Sequence, residues 1–146
     1  MTSPAPSYVS TDPQLFRIEG TTPVLMGSHC PACDISFYPR RWICAVCLEP
    51  VGDVDFAGRG VLASYTYIAS PMYGRKAVAG GGYGIGQIDL DEGVRVQAVI
   101  GGAQDHWRIG QRFVAGISPC GEVEEGVQSA LYEFSPDPGP EPESGA

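Results

Sequence analysis

Residues 29–47 read HCPACDISFYPRRWICAVC. Cys30 and Cys33 make one C-x-x-C pair, and ten residues later Cys44 and Cys47 make a second. The short gap within a pair lets the backbone curl so that both sulfurs reach one ion. The arm between the pairs is long enough to leave as a hairpin and return. This spacing is a strong signal for a tetrahedral metal site of four thiolates. Zinc, which accepts four thiolates without strain, is the expected ion, and iron is the other metal such a cage holds. Two disulfides are the alternative, although nothing else in the chain reads as secreted. Four protein ligands leave no open coordination position, so the metal is expected to be structural and not catalytic.

Upstream, residues 23–26 (PVLM) read as the strand leading into the first pair. Residues 35–38 (ISFY) form the arm, which Pro39 ends. Residues 14–19 (QLFRIE) suit either one helical turn or a short strand. Residues 1–13 carry three prolines among Ser and Thr and read as a flexible N-terminus. With its lead-in, the ribbon is expected over residues 14–57.

Downstream the pattern changes to strands punctuated by glycine. Residues 61–68 (VLASYTYI) are rich in β-branched and aromatic side chains. A long glycine-containing loop over 69–82 leads to residues 83–90 (YGIGQIDL). Asp91-Glu92-Gly93 is a tight turn into residues 94–100 (VRVQAVI), where Val94, Val96, Ala98 and Ile100 share one face. After a possible helical turn over 104–108 come strands over 112–118 and 127–134, separated by an acidic loop over 119–126. Five antiparallel strands with one short helical turn before the fourth suggest an all-β fold: a small OB-type barrel over 58–134, with a sandwich as the alternative. Residues 135–146 (SPDPGPEPESGA) are proline-rich and acidic and are expected to be a disordered tail.

Composition narrows the function. Of 146 residues, 9 are basic and 17 acidic, a formal charge of −8. Such a chain repels phosphate backbones at long range, which disfavours general nucleic-acid binding. No apolar run approaches the roughly 20 residues of a spanning helix, and MTSPAPSYVS lacks the features of a signal peptide. A cytoplasmic, membrane-free protein is expected.

Several of these pieces together resemble a known family. They are LF-x-I-E over 15–19, the two cysteine pairs, FYPRR over 37–41, and Gly58-Arg59-Gly60. Further on come IDLDEGVRV over 88–96, Ile109-Gly110-Gln111 and Tyr132-Glu133-Phe134. The combination is similar to OB-fold proteins with a rubredoxin-like zinc ribbon, the domain-of-unknown-function family 35. The resemblance implies a non-catalytic partner of thiolase-fold enzymes acting on acyl-CoA. A heterotetramer with the catalytic subunit is the implied assembly. The lead-in PVLMGSHC is most similar to the benzoylsuccinyl-CoA thiolase type. Where family members often carry glycine after each cysteine pair, this chain has Asp34 and Leu48. Leucine holds a left-handed backbone poorly, so the second knuckle is expected to turn differently.

The candidate sites then sort by chemistry. Arg40, Arg41 and Arg59, with Arg75 and Lys76, concentrate positive charge in an acidic chain. Guanidinium forks suit the phosphates of coenzyme A, and Trp42 or Tyr38 suits its adenine; solvated surface is the plain alternative. Cys120 lacks a neighbour that would activate it as a nucleophile, and neither His29 nor His106 is placed by a catalytic motif. The GGGYGIG run over 80–86 precedes a strand, not the helix a dinucleotide requires. Tyr65, Tyr67, Tyr73 and Tyr83 leave open a free-standing single-stranded nucleic-acid binder. A small metalloredox protein is the third possibility.

Overall fold

The computed structural model describes residues 6–70 and 82–138. Residues 1–5 of the expected flexible N-terminus, residues 139–146 of the expected tail, and residues 71–81 with Tyr73, Arg75, Lys76 and three of the loop glycines, lie outside the described residues. In chain order the strands are β1 (Ser7–Ser10), β2 (Phe16–Glu19), β3 (Thr22–Cys30), β4 (Ile35–Phe37) and β5 (Gly52–Phe56). They continue with β6 (Arg59–Ile68), β7 (Tyr83–Leu90), β8 (Arg95–Ile100), β9 (Arg112–Glu124) and β10 (Val127–Pro136). A 3-10 turn at Gln104–His106 lies between β8 and β9.

The ribbon is a small antiparallel sheet centred on β3, which pairs with β2, β4 and β5. Residues 14–19, open between helical turn and strand in the sequence, give the strand β2. Burying Phe16 to 1% exposure decides this. Gly27 on β3 is a close approach: a Cβ there would collide with the Phe37 carbonyl and the Phe56 ring.

β6 to β10 close into a barrel. β6–β7 and β7–β8 are antiparallel, and β8 meets β10 in parallel at Ile100 opposite Phe134. β10–β9 and β9–β6 are antiparallel and complete the circuit. A closed five-stranded circuit in this order is the OB fold, and closure removes the free edges a sandwich would keep. Val94, Val96, Ala98 and Ile100 are buried as the alternation predicts, with Arg95 and Gln97 exposed. Trp107 plugs one side of the core; its indole N–H donates to the Gly101 carbonyl at 2.9 Å. Its ring takes the space that a side chain at Gly84 would fill.

Ribbon and barrel share this core, because Leu25 of β3 and Phe56 of β5 pack with the barrel residues. Tyr38, at the end of the ribbon arm, joins them: its ring meets Phe56 edge-on at 6.3 Å and its hydroxyl donates to Tyr132 at 3.1 Å. Tyr132 in turn stands edge-on to Phe16 at 5.0 Å. Burial raises both phenol pKa values above the ordinary tyrosine range, so this hydroxyl pair stays protonated.

Three expectations are corrected. Ser7–Ser10, expected to be flexible, is a strand lying parallel to β10, with the Ser7 N–H on the Gly126 carbonyl at 2.9 Å. The part of β10 that projects past the barrel has backbone groups to satisfy, and this extended segment satisfies them. Residues 119–126, expected as a loop, are mostly strand, because β9 runs on to Glu124 opposite β10 with two register shifts. The ladder thus tolerates Pro119 by bulging. Finally, the tail was expected to leave the fold at Ser135, but β10 continues to Pro136 and Asp137 is tied down by Arg59 at 2.9 Å.

Candidate metal centre and the groove beside it

The four cysteine sulfurs lie within 4.8 Å of one another, and Cys30 Sγ is 3.6 Å from Cys47 Sγ. Each pair sits on a tight knuckle. In the first, the Asp34 N–H donates to the Cys30 carbonyl at 2.8 Å and the Cys33 N–H points at Cys30 Sγ at 3.4 Å. In the second, the Leu48 N–H donates to the Cys44 carbonyl at 3.1 Å. There the Val46 and Cys47 N–H groups reach Cys44 Sγ at 3.3 and 3.5 Å. Those donors, Cys47 first and then Val46, draw the Cys44 thiol down to about 6. Cys33 is pushed up to about 12, chiefly by its hydrogen bond with Cys47 and then by burial. Four converging sulfurs with N–H groups aimed at them fit a thiophilic ion such as zinc. A bound ion would displace the remaining thiol protons and crosslink the two knuckles.

The second knuckle does not turn differently from the first, contrary to expectation. Asp34 has φ +54° and Leu48 has φ +65°. The geometry needed to bring two sulfurs to one point overrides the local preference of leucine.

The arm between the knuckles borders a groove of about 680 Å³, whose walls include Leu15, Arg40, Arg41, Trp42, Val51 and Asp53. Trp42 is 92% exposed. Arg40 lies 3.8 Å from Asp53. The Arg41 guanidinium stacks 5.2 Å from the Phe37 ring centre and donates to the Ile43 carbonyl at 3.3 Å. The backbone beneath Arg41 is locked by Ser28, which is fully buried. Its hydroxyl accepts from the Arg41 N–H at 2.9 Å and donates to the Arg41 carbonyl at 3.0 Å.

Of the basic residues singled out in the sequence, Arg40 and Arg41 thus share one groove with Trp42. Arg59 does not line it; it stands on β6 in its ion pair with Asp137. The Cys120 sulfur is exposed and contacts the Ser118 carbonyl at 3.6 Å. Tyr65 is 41% exposed and meets Trp107 edge-on at 5.5 Å, while Tyr67 packs against the core. Sequence reasoning missed the groove's far wall, because Leu15 and Val51–Asp53 flank the cysteine stretch and carry no local signal. Ser28 had a faint one: a small polar residue two places after the apolar run over residues 23–26 of β3.

Among the described residues no helix is long and apolar enough to cross a membrane. A family model described as the C-terminal OB-fold domain of ChsH2 matches residues 53–117. A DUF35 domain-containing scaffold protein from Methanothermobacter thermautotrophicus is 31% identical over 116 residues, covering 77% of this chain and 86% of that protein. Among solved structures, the Ltp2-ChsH2(DUF35) aldolase aligns at 26% identity and a TM-score of 0.59, over 77% of this chain and 84% of the other. A DUF35 protein of unknown function from Sulfolobus solfataricus aligns at 20% identity and a TM-score of 0.47, over 77% and 75%. With the cysteine-bearing ribbon set on a closed OB barrel, this chain belongs to the DUF35 family.

Proposed function

We propose that this chain is a non-catalytic accessory subunit of a heteromeric thiolase-fold enzyme, a thiolase or aldolase acting on an acyl-CoA. The likeness that carries this reading is to the Ltp2-ChsH2(DUF35) aldolase, at 26% identity and a TM-score of 0.59. The scaffold description of the curated relative supports it. The partner subunit supplies the nucleophile and its acid–base residues. This chain shapes the entrance to that active site, and a structural zinc on Cys30, Cys33, Cys44 and Cys47 keeps its ribbon folded.

Arg40, Arg41 and Trp42 form the second part of the proposal. Two guanidinium groups and an exposed indole on one groove suit the phosphates and adenine of coenzyme A. In a chain of net charge −8 the attraction is local, so the nucleotide is drawn to the ribbon and repelled elsewhere. Arg59 is left out of this clamp, since its charge is spent on Asp137.

The test is to look for a thiolase-fold reading frame in the adjacent gene and co-express its product with this chain. The two are expected to elute together, with turnover requiring both; separate elution, with full activity from the neighbour alone, overturns the reading. In the active complex, Arg40→Ala with Arg41→Ala should raise KM for the acyl-CoA roughly 100-fold or more at unchanged kcat, because two charge-assisted bonds worth about 1.5–3 kcal/mol each are lost.

A further inference from the structure

The two arginines of the groove are held in opposite ways. Arg41 is fixed at three points. Its backbone is pinned by the fully buried Ser28, whose hydroxyl accepts from the Arg41 N–H at 2.9 Å and donates to the Arg41 carbonyl at 3.0 Å. Its Nε donates to the Ile43 carbonyl at 3.3 Å. Its guanidinium lies 5.2 Å from the Phe37 ring centre. These contacts orient the guanidinium and use neither terminal nitrogen. Among the described residues Nη1 and Nη2 of Arg41 have no hydrogen-bond acceptor and no carboxylate. Two free N–H donors side by side on a fixed plane are a fork for two oxygens of one phosphate.

Arg40 is the reverse case. Among the described residues its guanidinium makes no hydrogen bond, and its one charged neighbour is the Asp53 carboxylate at 3.8 Å. Its charge is partly offset and its direction is not set. A loose, compensated arginine attracts an anion without selecting among anions, whereas a fixed one gives up little freedom on binding and therefore selects.

Coenzyme A presents two kinds of phosphate. The 3′-monoester is terminal, with three free oxygens, and carries roughly −1.5 to −2 near pH 7, more than either phosphorus of the 5′-diphosphate. The denser charge gains most from the uncompensated arginine, and a terminal phosphate turns readily to meet a fork already in place. We propose that Arg41 is the specificity residue of the groove and takes the 3′-phosphomonoester, with Ser28 as its positioning residue. Arg40 serves the diphosphate as a movable charge that Asp53 offsets. This rests on the reading of the groove as a coenzyme A site.

Calorimetric titration of the zinc-loaded full chain with coenzyme A, and with dephospho-coenzyme A, which lacks only the 3′-phosphate, tests this. The wild-type chain should bind coenzyme A roughly 10- to 100-fold more tightly, the worth of one charge-assisted contact. Arg41→Ala should abolish that preference. Arg41→Lys, which keeps the charge and loses the fork, should lose most of it. Arg40→Ala should weaken both ligands alike and keep the preference, since both carry the diphosphate. Ser28→Ala should weaken coenzyme A and leave dephospho-coenzyme A unchanged, with the metal retained. Equal wild-type affinity for the two ligands overturns the inference. So does a preference that survives Arg41→Ala intact, or one that Arg40→Ala removes. Equal losses of both ligands in Ser28→Ala overturn the role given to Ser28, since a merely structural serine would act on both. Failure to bind either ligand overturns the coenzyme A role of the groove and this inference with it, while co-elution with the catalytic subunit decides the accessory role separately.

Discussion

The two knuckles are one backbone turn used twice, and they face the outside with opposite chemistry. Each closes with an N–H to the carbonyl of its first cysteine, at 2.8 Å from Asp34 and 3.1 Å from Leu48. Each places its closing residue in the left-handed region. The first knuckle is tied into the ribbon by polar groups: Asp34 lies 3.2 Å from His29 Nε2, and His29 Nδ1 lies 2.9 Å from Ser36 Oγ. The second presents Trp42, Val46 and Leu48 to solvent. The convergence of the four sulfurs constrains the path of the backbone and leaves the outward side chains free. Those side chains are therefore where the two knuckles differ, polar and tied to the ribbon at the first, apolar and exposed at the second.

The comparison can be broken at its root by removing what the knuckles share. Cys30→Ser or Cys44→Ser, or a strong chelator, should each cost on the order of 10 kcal/mol, since a ribbon this small folds around its ion. Metal analysis together with chemical denaturation measures this. Unequal effects from the two variants would mean that the sulfurs do not act as one cage.

A smaller effect sharpens the comparison at the joint between the knuckles. Ser28→Ala should cost about 1–2 kcal/mol, because it removes the buried hydroxyl that pairs with both the N–H and the carbonyl of Arg41. Urea unfolding reads this directly. A loss of only a few tenths of a kcal/mol would show that Ser28 does not hold the second knuckle to the first arm. The smallest effect is the most discriminating. Leu48→Gly should stabilise the isolated chain by about 1 kcal/mol by relieving the left-handed leucine. Asp34→Gly should not, because aspartate tolerates that conformation and its contact with His29 is lost. Equal responses at the two positions would mean that Leu48 carries no special strain.

Much of the fold was legible residue by residue where the signal is short-range. The four cysteines announce a cage because a ligand pair is set by a two-residue gap. The β7–β8 hairpin announces itself through Asp91-Glu92-Gly93 and the alternation that follows, and the position of the 3-10 turn through its place between strands. Ser7–Ser10 could not be read this way, since its partner, the projecting part of β10, lies at the far end of the chain. The turn at Leu48 could not either, because leucine's own preference argues against the conformation the cage imposes.

The amino-acid order alone set the cysteine cage, the barrel strands and the family likeness, all of which depend on spacing and alternation between near neighbours. Only folding brought Leu15 and Asp53 across from Arg40 to make a groove, joined Tyr38 to Tyr132, and separated Arg59 from the other arginines. The reason is that local steric and ligand rules act over a few residues. A groove or a joint between sheets depends on where the shared apolar core leaves distant segments.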